Sequence, residues 1–186
     1  MFCEAIILSI KFADGRVLAF DQTLGNTGIS LIEVLEGKPA VCDTWHIKRP
    51  ADGLTGFQAT FSRAEYLRHR LGEILTWSID LESLDFVVYE MPAVMGYRTE
   101  SSLLAAYVLQ TLATDLMIET PMVMVSNQHA KKVVLGNARI GKKEVRPLIE
   151  NLIEIPKLNH PWNEHVADAT MLGLAHLHDL TEGGKN

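Results

Sequence analysis

Cysteine is scarce: Cys3 and Cys42, far apart, are the only two in 186 residues. That excludes a disulfide framework and any C-x-x-C metal site, and it suits a reducing compartment. Long apolar runs are missing too; none reaches the roughly 18 uninterrupted residues of a membrane span. The start, MFCEAIILSIKF, lacks the basic flank and small-residue cleavage site of a secretory signal. The expectation is a cytoplasmic protein with no membrane partner. There is no internal repeat, low-complexity tract or long Pro/Gly/Ser linker, so one domain over 1–186 is expected. Positive charge is also short. A formal net charge of -6 argues against a protein that coats nucleic acid, because a polyanion needs a positive face.

The composition is 47 % hydrophobic, enough for a core in one globular domain. The few cations are concentrated. Between Lys131 and Arg146 six basic residues stand against Glu144 alone, a segment of +5 that leaves -11 for the rest of the chain. Its centre, GNARIGKK, nearly matches the phosphate-binding G-x-x-x-x-G-K-[ST]. The last position is Lys143, which cannot ligate Mg²⁺ as a Ser or Thr would, and a strand must lead straight into such a loop. An anionic partner other than a nucleotide is therefore expected.

Along the chain, Val17 to Phe20 read as a buried strand ending on Asp21, with GISLIEV and PAVCDTWHIKR completing an antiparallel meander. Ser62 to Glu65 have the form of a capping box, followed by Leu67, Leu71, Ile74 and Leu75 on one helical face. DFVVYE is apolar without alternation, as in a strand covered on both faces, and ends on Glu90. A helix from about Ser101 to Glu119 is apolar nearly all round, which places it in the core or at a subunit interface. MVMVS is a fifth strand, and KKEVRPLIENLIE and NEHVADATMLGLAHLHDL are helices. The fold class is α/β.

Asp21 and Glu90 thus end two apolar strands, and Asp168 lies near the start of the last helix. A carboxylate beside a core needs a partner. Acids converging at one end of a sheet suit a hard divalent cation with open water positions, Mg²⁺ or Mn²⁺. Two such ions roughly 4 Å apart can hydrolyse a phosphodiester. His165 stands three residues before Asp168 and shares its helical face; Glu164, four before, competes for the same role. The other histidines, His46, His69, His129, His160, His176 and His178, read as surface or core groups.

In order and spacing, LAFDQTLGNTGISLIEV, VVYEMP, KKVVLGNARIGKKEV and HVADATMLGLAHLH resemble the RuvC family of Holliday junction resolvases, over roughly Val17 to Leu180. The resemblance implies a ribonuclease H-like fold: a mixed five-stranded sheet, with a three-strand antiparallel meander plus two parallel strands, and helices on both faces. It implies that Asp21 bridges two Mg²⁺ ions, that Glu90 binds one, and that His165 and Asp168 complete the shell, all four being catalytic. Mn²⁺ would substitute. It also implies that Lys131 and Lys142 contact DNA near the scissile phosphate, with Lys132, Arg139, Lys143 and Arg146 as further backbone contacts. The family often carries an aromatic wedge soon after the strand Glu. Here Met91, Pro92 and Ala93 follow, so Tyr97 becomes the expected stacking residue, with Met95 as a second probe. Residues 1–16 precede the strand on which the family usually begins; EAIILSIKF reads as an added edge strand or a displaced start. Residues 181–186 read as a disordered tail.

The expected function is Mg²⁺-dependent, structure-selective cleavage of four-way or otherwise branched DNA. Matched cuts on opposed strands favour a homodimer, with the apolar helix around Leu103 to Ile118 as its interface. The rivals are another nuclease of the same fold, acting on RNA-DNA hybrids or in the manner of a transposase, and a catalytically silent branched-DNA-binding module. An actin-like ATPase would need a second domain for which 186 residues leave no room.

Overall fold

A computed structural model of the chain describes residues 10–51, 53–92, 99–158, 160 and 162–183. Five strands, β1 (Gly15–Asp21), β2 (Asn26–Leu35), β3 (Lys38–Lys48), β4 (Phe86–Glu90) and β5 (Met122–Val125), form one sheet in the order β3-β2-β1-β4-β5. The first three pair antiparallel, and β4 and β5 join parallel to β1. The helices are α1 (Gly56–Trp77), α2 (Thr99–Asp115), α3 (Asn127–Leu135), α4 (Lys142–Glu150) and α5 (Glu164–Gly183), with a 3₁₀ turn at Leu81–Ser83. This is the mixed five-stranded α/β architecture expected.

Strand periodicity divides the core in two. Leu18, Phe20, Ile29 and Leu31 point to one face, where α1 covers them with Leu67, Leu71 and Leu75 and α2 with Ala105, Leu109 and Leu112. Val17, Ala19, Ile32 and Val34 point to the other, beneath Val134 of α3, Ile149 of α4 and Met171, Leu172 and Leu174 of α5. β1, covered on both sides, is the innermost strand. Helix α5 lies unusually close to the sheet. A Cβ on Gly173 would sit 2.5 Å from Ile32 Cδ1, and one on Gly28 would sit 2.2 Å from the His165 carbonyl. The buried Thr170 hydroxyl hydrogen-bonds Ser30 Oγ at 2.8 Å, which satisfies two polar groups trapped in this contact.

Several boundaries differ from expectation. α1 begins at Gly56, so Ser62 is inside it rather than at its cap, and Ser62 Oγ instead accepts from Arg49 Nη2 at 2.9 Å. α2 ends at Asp115 rather than near Glu119, and it buries only one face: Ala105, Val108, Leu109 and Leu112 are buried, while the apolar Leu103 and Tyr107 are 53 % and 62 % exposed. Residues 10–14 lie outside the strands, and the rest of EAIILSIKF falls outside the described residues. Residues 181–183, expected to belong to a disordered tail, are helical, because α5 runs to Gly183; 184–186 lie outside the described residues. No helix among the described residues is long and apolar enough to cross a membrane.

Candidate active site

Parallel pairing brings the first two acids together. The register Phe20↔Tyr89 puts the next residues, Asp21 and Glu90, side by side at the carboxyl ends of β1 and β4. Gln22, 1 % exposed, fixes the junction: its Nε2 donates to the Glu90 carbonyl at 2.6 Å, and its Oε1 accepts the Glu90 amide N–H at 3.0 Å. The side-chain amide thereby continues the ladder one step past the strand end and holds the backbone that carries the Glu90 carboxyl.

The third and fourth groups come from the first turn of α5. Asn163 Oδ1 accepts the backbone N–H of His165 at 3.0 Å and of Val166 at 3.2 Å, a capping arrangement that defines where the helix starts. Gly28, paired with Asp21 across β1 and β2, lets that turn settle onto the sheet. His165 Nδ1–H consequently reaches Asp21 Oδ2 at 2.8 Å. Asp168, one turn on, is 4 % exposed and faces Lys142 Nζ at 3.6 Å. Glu164, the competitor for the His165 position, is exposed and outside the cavity.

Asp21, Glu90, His165 and Asp168 line one cavity of about 560 Å³, together with Lys131 and Lys142. Lys131 Nζ donates to the Ile140 carbonyl at 2.9 Å, which ties α3 to the connection before α4. Lys132, Arg139 and Lys143 are exposed and do not line the cavity. Tyr97 and Met95 lie outside the described residues. GNARIGKK joins helix to helix, with Gly136 closing α3 at φ 75° and the Gly141 N–H donating to Glu144 Oε2 at 2.8 Å. The strand that a nucleotide loop requires is absent there.

The crowding of carboxylates registers in their proton affinities. Burial, the Asp21 charge and a hydrogen bond to the Asp21 carboxyl push Glu90 up to about 8, with Asp168 adding to the effect and Lys142 opposing it. Burial and the Asp21 charge push Asp168 up to about 6, against the pull of Lys142 and Lys131. With all three carboxyls ionised, Lys131 and Lys142 would leave one negative charge over, which a hard cation would offset. Asp21 is turned to His165 and Glu90, and Asp168 to Lys142; among the described residues no three His, Cys, Asp or Glu groups are placed to hold an ion together. The donor types gathered here, three carboxylates and an imidazole beside an open cavity, are those that suit a hard divalent cation.

His46, read from the sequence as a bland group, stacks on His165 at 5.5 Å between ring centroids and 13° between planes. Burial, the neighbouring His165 and Lys48 lower its pKa, against the pull of Asp21. Gln22, Gly28, Asn163 and His46 were all missed as site residues. Glycine inside an apolar strand and asparagine just before a helical pattern were usable signals for two of them; nothing local marks Gln22 or His46.

Across known structures the whole architecture recurs. Thermus thermophilus RuvC in complex with Holliday junction substrate superposes with a TM-score of 0.69 at 16 % identity, covering 91 % of this chain and 96 % of that one. The chain has the RuvC fold. The RuvC likeness extends to the yeast mitochondrial Holliday junction resolvase, with a TM-score of 0.59 at 13 % identity over 95 % of this chain and 83 % of the other. In sequence, 49 residues are 37 % identical to the crossover junction endodeoxyribonuclease RuvC of Chlamydia pneumoniae, a match spanning 26 % of this chain and 29 % of that protein. No family model matches.

Proposed function

We propose that this chain is a single-domain, structure-selective DNA endonuclease that resolves four-way junctions by hydrolysing phosphodiesters at the acid cluster. The observation that carries the reading is the meeting of Asp21, Glu90, His165 and Asp168 in one cavity beside Lys131 and Lys142, on a fold that covers nearly all of RuvC. Asp21, Glu90, Asp168 and His165 would hold divalent ions, which supply an activated water and stabilise the leaving 3' oxygen. The protein's own part is positional. Gln22 holds the Glu90 backbone, Asn163 and Gly28 set the first turn of α5, and His46 keeps the His165 ring in plane. Lys142 and Lys131 offer positive charge where a phosphate backbone would enter, orienting the strand without reading its bases. Tyr97 remains the proposed base-stacking residue, and Lys132, Arg139 and Lys143 are outer contacts.

Paired cuts need two sites, and we place the dimer contact on exposed apolar groups of α1 and α2. Leu103 and Tyr107 of α2 are uncovered, and on α1 Phe57 and Phe61, 82 % and 58 % exposed, stack at 6.4 Å. The deciding experiment compares cleavage of end-labelled four-way junction, linear duplex and RNA-DNA hybrid in Mg²⁺. Preference for the junction, with symmetric cuts, supports the proposal. Preference for the hybrid moves the chain to another nuclease class, and junction binding without cleavage makes it a silent binding module.

A further inference from the structure

The cations outside Lys131–Arg146 are scattered in sequence, yet three of them meet in space. Lys48 ends β3, Arg49 follows it, and Arg63 comes from α1; all three line a cavity of about 400 Å³ at the same end of the sheet as the acid cluster. Two of its residues, Gly25 and Arg63, also line the acid-bearing cavity, so the two hollows share a wall. That wall is the β1–β2 turn. It is braced on the basic side by the Arg49 N–H, which donates to the Gly25 carbonyl at 3.3 Å, and Arg49 Nη2 is fixed on Ser62 Oγ at 2.9 Å. Lys48 and Arg63 are exposed. Lys131 and Lys142 come from α3 and α4, beneath the opposite sheet face from α1, so the acid cluster lies between two sources of positive charge.

We propose that Lys48, Arg49 and Arg63 form a second phosphate-binding arm, which grips the DNA strand on the far side of the cleavage point from Lys131 and Lys142. This rests on the nuclease reading and adds a contact surface to it. A polyanion is the occupant favoured by the charge of the cavity and by its continuity with the site where a phosphodiester would be cut. A strand held on one side only could pivot about Lys142. Held on both, its scissile phosphate is centred over Asp21 and Glu90.

The test measures binding of four-way junction DNA by fluorescence anisotropy in Mg²⁺ over a salt series. Every protein carries Asp21→Asn to prevent cutting. Lys48→Ala, Arg63→Ala and their double variant are compared with Lys38→Ala, a substitution at the opposite end of β3. Arg49 is left intact because it braces the turn. Each removed cation should weaken binding roughly fivefold to tenfold near 0.1 M salt and lower the slope of log affinity against log salt by about 0.7 to 0.9. Lys48→Arg and Arg63→Lys should retain most of the affinity, and melting temperatures should match the parent. Affinity and slope indistinguishable from Lys38→Ala, while wild type still cuts junctions, would overturn the second arm and leave the nuclease reading standing. Absence of junction binding by the parent, together with absence of cleavage by wild type, would overturn both.

Discussion

The two ends of the sheet hold cavities of nearly equal size and opposite character. At the carboxyl ends of β1 and β4 about 560 Å³ is enclosed by Asp21, Glu90, His165, Asp168 and two lysines. At the amino ends of β4 and β5 about 570 Å³ lies among Leu81, Glu82, Leu116, Met117, Ile118, Glu119 and Thr120. Volume therefore does not distinguish them. At the first end Asp21 and Glu90 terminate buried strands and Asp168 is buried in the first turns of α5, so burial and the Asp21 charge raise the proton affinity of both Glu90 and Asp168. At the second, Glu82 and Glu119 are exposed and solvated. Charge that a protein keeps in a costly position, rather than space, marks the end where chemistry is expected.

The sharpest way to break the contrast is to neutralise one acid at the first end. Asp21→Asn or Asp168→Asn should lower junction cleavage in Mg²⁺ by roughly 10³-fold or more, about 4 kcal/mol of barrier. Folding, followed by circular dichroism, should be unchanged. Activity within a few-fold of wild type in both variants would remove the site.

Next in size is a pH effect on stability in protein stripped with chelator. Glu90 is protonated up to about pH 8 in the folded state, against about 4.3 when unfolded. Below the lower value both states hold the proton and stability is full. As pH rises from there to about 8, the unfolded chain ionises first and stability falls; above 8 the loss is complete. Glu90→Gln should remove most of this slope and be more stable than wild type at pH 8 by on the order of 2–4 kcal/mol. Asp168, pushed up to about 6, leaves a smaller slope below that pH. Thermal melts between pH 5 and 8.5 check this, and parallel curves for the two proteins would sink it.

Much of this was readable in the chain because the determining signals are local. Apolar strands that stop on a carboxylate mark Asp21 and Glu90; spacing alone leaves both His165 and Glu164 as partners of Asp168, the RuvC resemblance favours His165, and the structure turns Glu164 to solvent. The five strands followed from period and turn chemistry. What was not readable depends on residues distant in sequence. Gln22 matters because Glu90, in another strand, exposes its backbone there. His46 matters because Gly28 admits α5 to within ring-stacking distance. Arg49 and Arg63 meet only when α1 folds back along the sheet. The start of α1 was missed for a related reason: Ser62 and Glu65 mimic a cap, while the helix begins at Gly56 with no side-chain cap bond at Thr55.

The Gln22 contact gives a smaller but more discriminating prediction. Gln22→Ala removes both bonds to the Glu90 backbone without touching a reacting group, so kcat for junction cleavage should fall roughly tenfold, about 1.4 kcal/mol. KM should stay near wild type, because the lysines that hold the phosphates are unaffected. Gln22→Glu retains the acceptor for the Glu90 N–H but loses the donor, and adds a fourth carboxylate, so it should be worse than alanine. Equal losses in kcat and in DNA affinity would show that Gln22 supports the fold of this end rather than the placement of one carboxyl.

The opposite end supplies the smallest expected effect and closes the comparison. Glu119→Gln and Glu82→Gln change charge next to a cavity as large as the candidate site. Both groups are solvated, so stability should move by less than about 0.5 kcal/mol. Junction cleavage should remain within twofold, since charges beyond about 10 Å are screened at ordinary salt. If Glu119→Gln instead impaired cleavage while the melting temperature held, the amino end of the sheet would have to touch DNA or a second subunit. The distinction between a crowded and a solvated acid would then fail as a guide to which end of the sheet carries the chemistry.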